Sequence, residues 1–177
     1  MGGFFGAVCR QDAMSDVFFG TDYHSHLGTS RAGMAAYDAE IGLQRDIHNI
    51  QNSPFRTKFE KIFDEMRGTS AIGCISDADP QPLLIRSNLG TFAICMVGVI
   101  NNAEELIKNH LEHSGRYYSA MTGGRVNSLE LLAALISQKD NFADGIRFAQ
   151  QDLRRRLHPQ THQQKKRGYR IFRQYIR

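Results

Sequence analysis

The sequence predicts an α+β domain, in which strands and helices form separate layers rather than a strictly alternating parallel sheet. Two observations carry this prediction. Short apolar runs bounded by glycine, which are typical of strands, dominate the first hundred residues. Two Asn-x-x-Glu patterns, which are typical of helix starts, follow in the second half, one beginning at Asn102 and one at Asn127.

The strands are expected wherever a run of apolar or small residues ends at turn-forming residues. These runs cover residues 2–8, 33–37, 41–47, 70–75, 83–86 and 91–96, with a shorter one at 117–121. A Gly-Gly pair follows the last run and predicts a turn.

The helices are expected where apolar residues recur at helical spacing behind a capping residue. Ser53-Pro54 predicts the first helix start, and its apolar stripe comprises Phe55, Phe59, Ile62, Phe63 and Met66. Each of the two Asn-x-x-Glu patterns predicts a further helix, and residues 142–151 predict the last one.

The composition excludes several classes of protein. The chain has 177 residues, 41% of them apolar and 23% charged, which suits one ordinary globular domain and not a disordered one. Its apolar runs are far shorter than the roughly 20 residues that a bilayer-spanning helix needs. Three cysteines without paired spacing argue against a disulfide framework and a four-cysteine zinc site, so we expect a reducing, cytoplasmic location, no metal and no cofactor.

The charge divides the chain at residue 151. Residues 152–177 carry nine Lys/Arg and one Asp, a net charge of +8, whereas residues 1–151 carry 13 Lys/Arg and 17 Asp/Glu, a net charge of −4. We therefore expect a domain over residues 1–151 and a basic tail over 152–177. The tail is interpreted as a nucleic-acid-binding arm, as a disordered end, or as an aberrant end that does not belong to the domain.

Several short motifs occur in a characteristic order. They are MGGFFG at 1–6, HLGTSRAGM at 26–34, IGCISD at 72–77 with Gln81-Pro82 after it, MVGVINNAEEL at 96–106 and VNSLELL at 126–132. In this order they resemble the class II glutamine amidotransferase domain, and most closely the N-terminal domain of the amidophosphoribosyltransferases of purine synthesis. The resemblance covers roughly residues 2–150, and ordered motifs are more specific than any single one.

The resemblance implies a fold and a set of partners. The fold is the α/β/β/α four-layer sandwich of the N-terminal-nucleophile hydrolases, and it is expected to be incomplete at the C-terminal end, where the family continues with further strands. A phosphoribosyltransferase (synthase) domain follows in the family, so a synthase partner or a second copy of the chain is the expected partner. Unpaired sheet edges would make the chain marginally stable or self-associating.

The resemblance also assigns the nucleophile and the oxyanion-binding positions. The family cleaves glutamine with a cysteine at the mature N-terminus, and Gly2 stands at that position. Its asparagine that donates to the oxyanion is replaced by Val97, ahead of the retained Gly98. Losing one such donor typically costs about 10²–10³ in rate.

Two substrate-binding positions differ in the same way. The family's arginine that holds the substrate carboxylate is Ser76 here, and the tyrosine after it is Asp77, whose carboxylate would repel the substrate. The family's aspartate that binds the substrate amino group is Asn127. We therefore expect a domain without glutaminase activity that acts structurally, in regulation or in ligand binding.

Two other groups of residues offer alternative sites. Cys74 or Cys95 could act as a substitute nucleophile in an active amidase, although both lie in apolar runs where free thiols are usually inert. His24 and His26 would share one face of a strand, as in a metal site, but two histidines alone do not make a ligand set.

Overall fold

A computed structural model describes residues 2–114 and 117–155. These residues form two compact units. The first contains residues 2–86 and Gly90–Gly98, and the second contains Ser87–Leu89 together with the described residues from 99 onward. Within the described residues, no helix has the length and the apolar character that crossing a membrane requires.

The first unit is built on a four-stranded antiparallel sheet. Its strands are β1 (Gly2–Val8), β2 (Arg31–Asp38), β3 (Gly42–Asn49) and β4 (Ser70–Ser76), in the spatial order β1-β4-β2-β3. All three pairings are antiparallel. The four strands confirm the predictions from the apolar runs, with bounds that differ by at most two residues.

Two helices follow strands of this sheet, and one of them was not predicted. Helix α1 (Met14–Tyr23) and a 3-10 turn (Ser25–Leu27) connect β1 to β2, where the sequence predicted no helix. Helix α1 has no side-chain cap, and its Phe19 and Tyr23 are exposed. Both features weaken the sequence signals that predict a helix, which are a capping residue at its start and an apolar stripe along one face. Helix α2 (Phe55–Glu65) begins one residue after Pro54, and no side chain caps it.

The main core lies between these helices and one face of the sheet. Residues on β2 and β4 that alternate along the strands point to this face. The buried side chains that meet there are Ala32, Met34, Ala36, Ala71 and Ile75 from the sheet, with Met14, Val17, Phe18, Phe55, Phe59 and Ile62 from the helices. This packing explains why the predicted stripe of α2 is buried at Phe55, Phe59, Ile62 and Met66.

The opposite face of the sheet packs against a hairpin. Strands β5 (Leu83–Ser87) and β6 (Gly90–Ile94) confirm the two strands predicted from apolar runs, and they pair with each other. A smaller cluster of Ala35, Ile72 and Ala93, with Leu84 and Cys95 beside it, joins them to the sheet. The first unit thus has a helical layer, a sheet and a hairpin. The four-layer arrangement and its missing strands stay predictions.

The second unit is mainly helical. Its elements are α3 (Ala103–Ser114), β7 (Met121–Thr122), β8 (Arg125–Val126), α4 (Ser128–Ile136) and α5 (Phe142–Arg155). Buried leucines of α4 and the residues Ile146, Ala149 and Leu153 of α5 form its core. Helix α5 runs four residues beyond its predicted end at 151, and residues 156–177 of the basic tail lie outside the described residues.

The predicted strand at 117–121 is wrong, because a side chain takes the place of a neighbouring strand. The Glu130 carboxylate accepts hydrogen bonds from the N–H groups of Ser119 (2.9 Å) and Ala120 (2.7 Å). Only Met121 and Thr122 pair, with β8 across the predicted glycine turn. Asn127 caps α4 as predicted, by accepting from Leu129 N at 2.8 Å. Glu130, the other half of the predicted capping box, therefore serves the 119–120 segment.

Candidate functional site

Two of the predicted site positions face each other across adjacent strands. Gly2, the first residue of β1, lies opposite Ser76, the last residue of β4. On its other side Ser76 lies opposite Arg31, the first residue of β2. Directly opposed residues of antiparallel strands share one face of the sheet. Gly2, Ser76 and Arg31 therefore form one transverse row at the end of the sheet.

The backbone at position 2 leaves no room for a side chain. A Cβ atom built on Gly2 would fall within 3.0 Å of the carbonyl oxygen of Ile75, closer than real Cβ contacts come. The obstacle is backbone of the neighbouring strand and cannot rotate away. A cysteine at this position would need a shift of β1 against β4.

The Ser76 hydroxyl is occupied within its own turn. The residue is 5% exposed. Its Oγ donates to the carbonyl oxygen of Asp79 at 3.1 Å and accepts from the N–H of Ala78 at 3.2 Å. The side chain therefore closes the 76–79 turn, and both of its hydrogen-bonding roles are satisfied by backbone.

Asp77 is engaged with backbone N–H groups instead of standing in an open site. Its Oδ1 accepts from Thr29 N at 2.7 Å and from Ser30 N at 3.0 Å. Hydrogen bonds to the charged carboxylate, among them those from the N–H groups of Thr29 and Ser30, lower the pKa of Asp77 to about 2. Asp77 is therefore charged at neutral pH and ties the segment before β2 to the end of β4.

The segment that carries Val97 and Gly98 is held by a side-chain clamp. Gln81 is 5% exposed. Its Nε2 donates to the carbonyl oxygen of Met96 at 3.0 Å, and its Oε1 accepts from Met96 N at 2.8 Å. Gly98 has φ of 151°, a conformation that favours glycine. The backbone of the predicted oxyanion segment is thus fixed, although Val97 offers no side-chain donor.

Gln81→Met should lower the free energy of unfolding by about 2 kcal/mol, because it leaves a partly buried N–H and C=O of Met96 without partners. Urea unfolding followed by circular dichroism measures this. Gln44→Met is the matched control, since Gln44 makes one hydrogen bond, at 2.8 Å to the carbonyl oxygen of Arg67. Equal losses of unfolding free energy in the two variants would show that the two hydrogen bonds of Gln81 stabilise the protein no more than the single hydrogen bond of Gln44.

Asn127 belongs to the second unit and acts there as a helix cap. It is 3% exposed, and its Oδ1 accepts the N–H of Leu129 at 2.8 Å. Its own N–H donates to the carbonyl oxygen of Ala120 at 2.8 Å. The residue predicted to replace the amine-binding aspartate therefore fixes the start of α4.

Comparison of the sequence with protein-family models and with curated proteins gives no match. Solved structures do match. One is the glutamine phosphoribosylpyrophosphate (PRPP) amidotransferase of B. subtilis complexed with ADP and GMP, at 26% identity and a TM-score of 0.67. Another is described as the allosteric regulatory enzyme of purine biosynthesis, at 26% identity and a TM-score of 0.68. The fold matches the N-terminal domain of these amidotransferases.

The structural match covers most of this chain but only part of each amidotransferase. In both cases it covers 86% of this chain and 33% of the other one. The chain therefore spans about a third of the length of the amidotransferases that it matches. The similarity confirms the mixed helix-and-strand fold and the resemblance that the motifs indicated. The four substituted positions stay predictions.

The two thiols considered as substitute nucleophiles lie in the first unit. Cys74 is fully buried on β4, and burial, followed by a hydrogen bond with Cys95, raises the pKa of its thiol well above the usual value. A thiol with a raised pKa carries little thiolate and is a poor nucleophile. Cys95 is partly buried beside the Ala35 cluster.

The two histidines do not have the geometry that a metal site on a strand would need. His24 follows the last residue of α1, and His26 lies in the 3-10 turn, so neither histidine lies on the strand that such a site would need. In the part of the chain that the structure describes, no group of three or more His, Cys, Asp or Glu side chains is placed to hold a metal ion.

Two side chains near the predicted positions were not singled out from the sequence. Arg31 was not recognised because its place beside Ser76 depends on strand register. Gln81 was noticed only as part of a Gln-Pro motif, and nothing in the local sequence links it to Met96. The nucleic-acid interpretation of the tail falls mostly on residues 156–177, outside the described residues.

Proposed function

We propose that this chain is a class II glutamine amidotransferase-like domain without glutaminase activity. It resembles the N-terminal part of an amidophosphoribosyltransferase of purine biosynthesis and serves as a structural or ligand-binding domain. The support for the family is the fold similarity to PRPP amidotransferases over 86% of the chain. The support for lost activity is chemical and comes from the residues at the end of the sheet.

Gly2 is the single observation that carries the proposal. It stands where the family's nucleophile is expected, at the first residue of β1. Glycine has no atom that can form a thioester with the substrate. The clash of a Cβ atom with the carbonyl oxygen of Ile75 means that the backbone is also packed for glycine. Position 2 therefore lacks both the sulfur and the space for it.

The other substituted positions favour the same conclusion. The side chain of Val97 has no hydrogen-bond donor. The hydroxyl of Ser76 forms its hydrogen bonds with the backbone of its own turn. Asn127 uses its side-chain oxygen to cap a helix. Side chains that are satisfied by the fold are not available to hold a substrate, so these residues contribute to stability instead.

The proposal extends to the partners of the domain. Because the chain spans a third of the amidotransferases that it matches, we propose that it acts beside a synthase domain or a second copy of itself. A synthase that received no ammonia from this domain would depend on ammonia from solution.

Ammonia release from L-glutamine tests the proposal directly. We expect a rate equal to that of buffer, because losing a catalytic nucleophile typically lowers kcat by about 10⁶. The measurement is an enzyme-coupled ammonia assay on the purified chain, with the Cys74→Ser and Cys95→Ser variants in parallel. Turnover that either substitution abolishes would overturn the proposal and make that thiol the nucleophile of an active amidase.

A further inference from the structure

Two of the three cysteines, which are far apart in the sequence, meet in the first unit. We propose that Cys74 and Cys95 form a reversible disulfide when the chain meets hydrogen peroxide, which makes the pair a site of oxidative modification. The proposal goes beyond the proposed function and does not rest on it. The spacing of the cysteines in the sequence predicted no pairing, because only the fold brings these two together.

Strand alternation places Cys74 on the face of the sheet that carries the β5–β6 hairpin. Cys74 lies two residues after Ile72 on β4, so both side chains point to the same face. Ile72 packs there with Ala35 and Ala93. Cys95 directly follows β6 and packs against the same cluster. The packing therefore brings both thiols to one face of the sheet, where a hydrogen bond joins them.

The backbone is fixed on both sides of this pair. Cys74 lies on β4, which is paired with β1 on one side and with β2 on the other. Met96, the residue after Cys95, is held by the two hydrogen bonds of Gln81, at 2.8 and 3.0 Å. Reactants held in contact behave as if their concentration were very high. Two hydrogen-bonded thiols have only a short gap to close before they reach the S–S bond length of about 2.05 Å.

The two thiols differ in exposure, and this gives them different roles. Cys95 is partly exposed, so a small oxidant can reach it, whereas Cys74 is fully buried. Burial, followed by the hydrogen bond with Cys95, raises the pKa of the Cys74 thiol well above its usual value. The thiolate is the form that reacts with peroxide. Cys95 is therefore oxidised first, and Cys74 is the thiol that resolves the product.

The modification takes place in two balanced steps. The Cys95 thiolate attacks hydrogen peroxide, so that an S–O bond forms, the O–O bond breaks and the departing hydroxide takes up the proton that Cys95 released. The Cys74 sulfur then attacks the Cys95 sulfur, so that an S–S bond forms, the S–O bond breaks and the Cys74 proton leaves with the hydroxide as water. The two thiols lose two electrons and two protons in total, and one peroxide becomes two molecules of water.

The disulfide would tie β4 to the segment that carries Val97 and Gly98. It would close a loop over residues 74–95, which is 22 residues long. Cross-linking a loop of this length restricts the unfolded chain and so stabilises the folded one. We expect oxidation to raise the Tm by about 5–10 °C. The competing interpretation is that the two thiols only fill space between the sheet and the hairpin.

Peptide mapping of the full chain tests the proposal. The protein is treated with a small molar excess of hydrogen peroxide, its remaining thiols are alkylated, and it is digested with trypsin without reduction. Trypsin cleaves after Arg86, between the two cysteines, and so places them in the separate peptides 68–86 and 87–108. We expect these two peptides to be joined by a disulfide and the free thiols to fall from three to one per chain. Dithiothreitol should restore the thiols and the original Tm.

Cys9→Ser is the matched control, because Cys9 lies in other contacts, with its Sγ 3.7 Å from Asp16 Oδ2. It should leave the cross-link and the rise in Tm unchanged, whereas Cys95→Ser should abolish both. Unlinked peptides, a sulfinic acid at Cys95 beside a free Cys74, or a link through Cys9 would each overturn the proposal.

A non-reducing gel completes the test. The cross-linked chain should run as a monomer, and a link found only in a covalent dimer would contradict pairing within one chain. The map of the parent chain decides the outcome even if a variant fails to fold. The ammonia assay is a separate measurement, because glutamine turnover bears on the proposed loss of activity and leaves the disulfide untouched.

Discussion

Gly33→Ala is expected to lower the free energy of unfolding by about 3 kcal/mol, at the upper end of what overpacking costs. Gly33 lies on β2, and a Cβ atom there would fall within 3.0 Å of both the carbonyl oxygen of Gln81 and the ring of Pro82. Neither group can rotate away. Gln81 is also held in place by its two hydrogen bonds with Met96. An alanine at position 33 would therefore force either strand β2 or the Gln81 clamp to shift.

Gly42→Ala is the control for this prediction. Gly42 lies in the turn between β2 and β3, has φ of 88° and has no atom within 4 Å of an added Cβ. Its substitution should cost only the strain of a left-handed backbone, about 1 kcal/mol. Urea unfolding of both variants measures the difference. If Gly33→Ala proved no worse than Gly42→Ala, the close approach of Gln81 to β2 would be wrong.

Gly73→Ala should be about equally destabilising, but another substitution should relieve it. The Cβ atom of residue 73 would fall against Thr21 of α1, closest to its Oγ1. Thr21 is fully buried, and its hydroxyl has no hydrogen-bond partner among the described residues. Because the obstacle is a side chain, Thr21→Ala removes most of it.

A double-mutant cycle measures this relief. Thr21→Ala alone should cost about 1 kcal/mol through the loss of buried atoms. In its background, Gly73→Ala should cost about 1–2 kcal/mol less than in the parent chain, since residues in contact couple by that much. Strictly additive losses would contradict the packing of α1 directly over β4. Gly33→Ala should show no such relief with Thr21→Ala.

The sequence predicted the elements whose signals are local. The strands β1 to β4 were found because each is an apolar or small run that ends at turn residues. Helix α4 was found because Asn127 caps it. Helix α1 was missed because it has no side-chain cap and exposes aromatic residues. The false strand at 117–121 arose because Glu130, ten residues away in the chain, satisfies that backbone.

The candidate site was predictable only in part, for a related reason. Motif order indicated which positions differ from the amidotransferases, and this needed no structure. The partners of those positions depend on residues that are distant in the sequence. Arg31 and Ser76 meet through strand pairing, and Asp77 reaches Thr29 and Ser30 across the same gap. Pairing over such separations cannot be derived from local composition.

The alternation of side chains across the β2–β4 ladder has a consequence for how relatives of this chain can diverge. A single-residue insertion within Ser70–Ser76 would turn every later side chain of that strand to the other face, and Arg31 would then lie opposite an apolar residue. Insertions between Asp38 and Gly42 would leave the ladder untouched. Natural variation in length should therefore be found in the turn between β2 and β3 and be absent from β4.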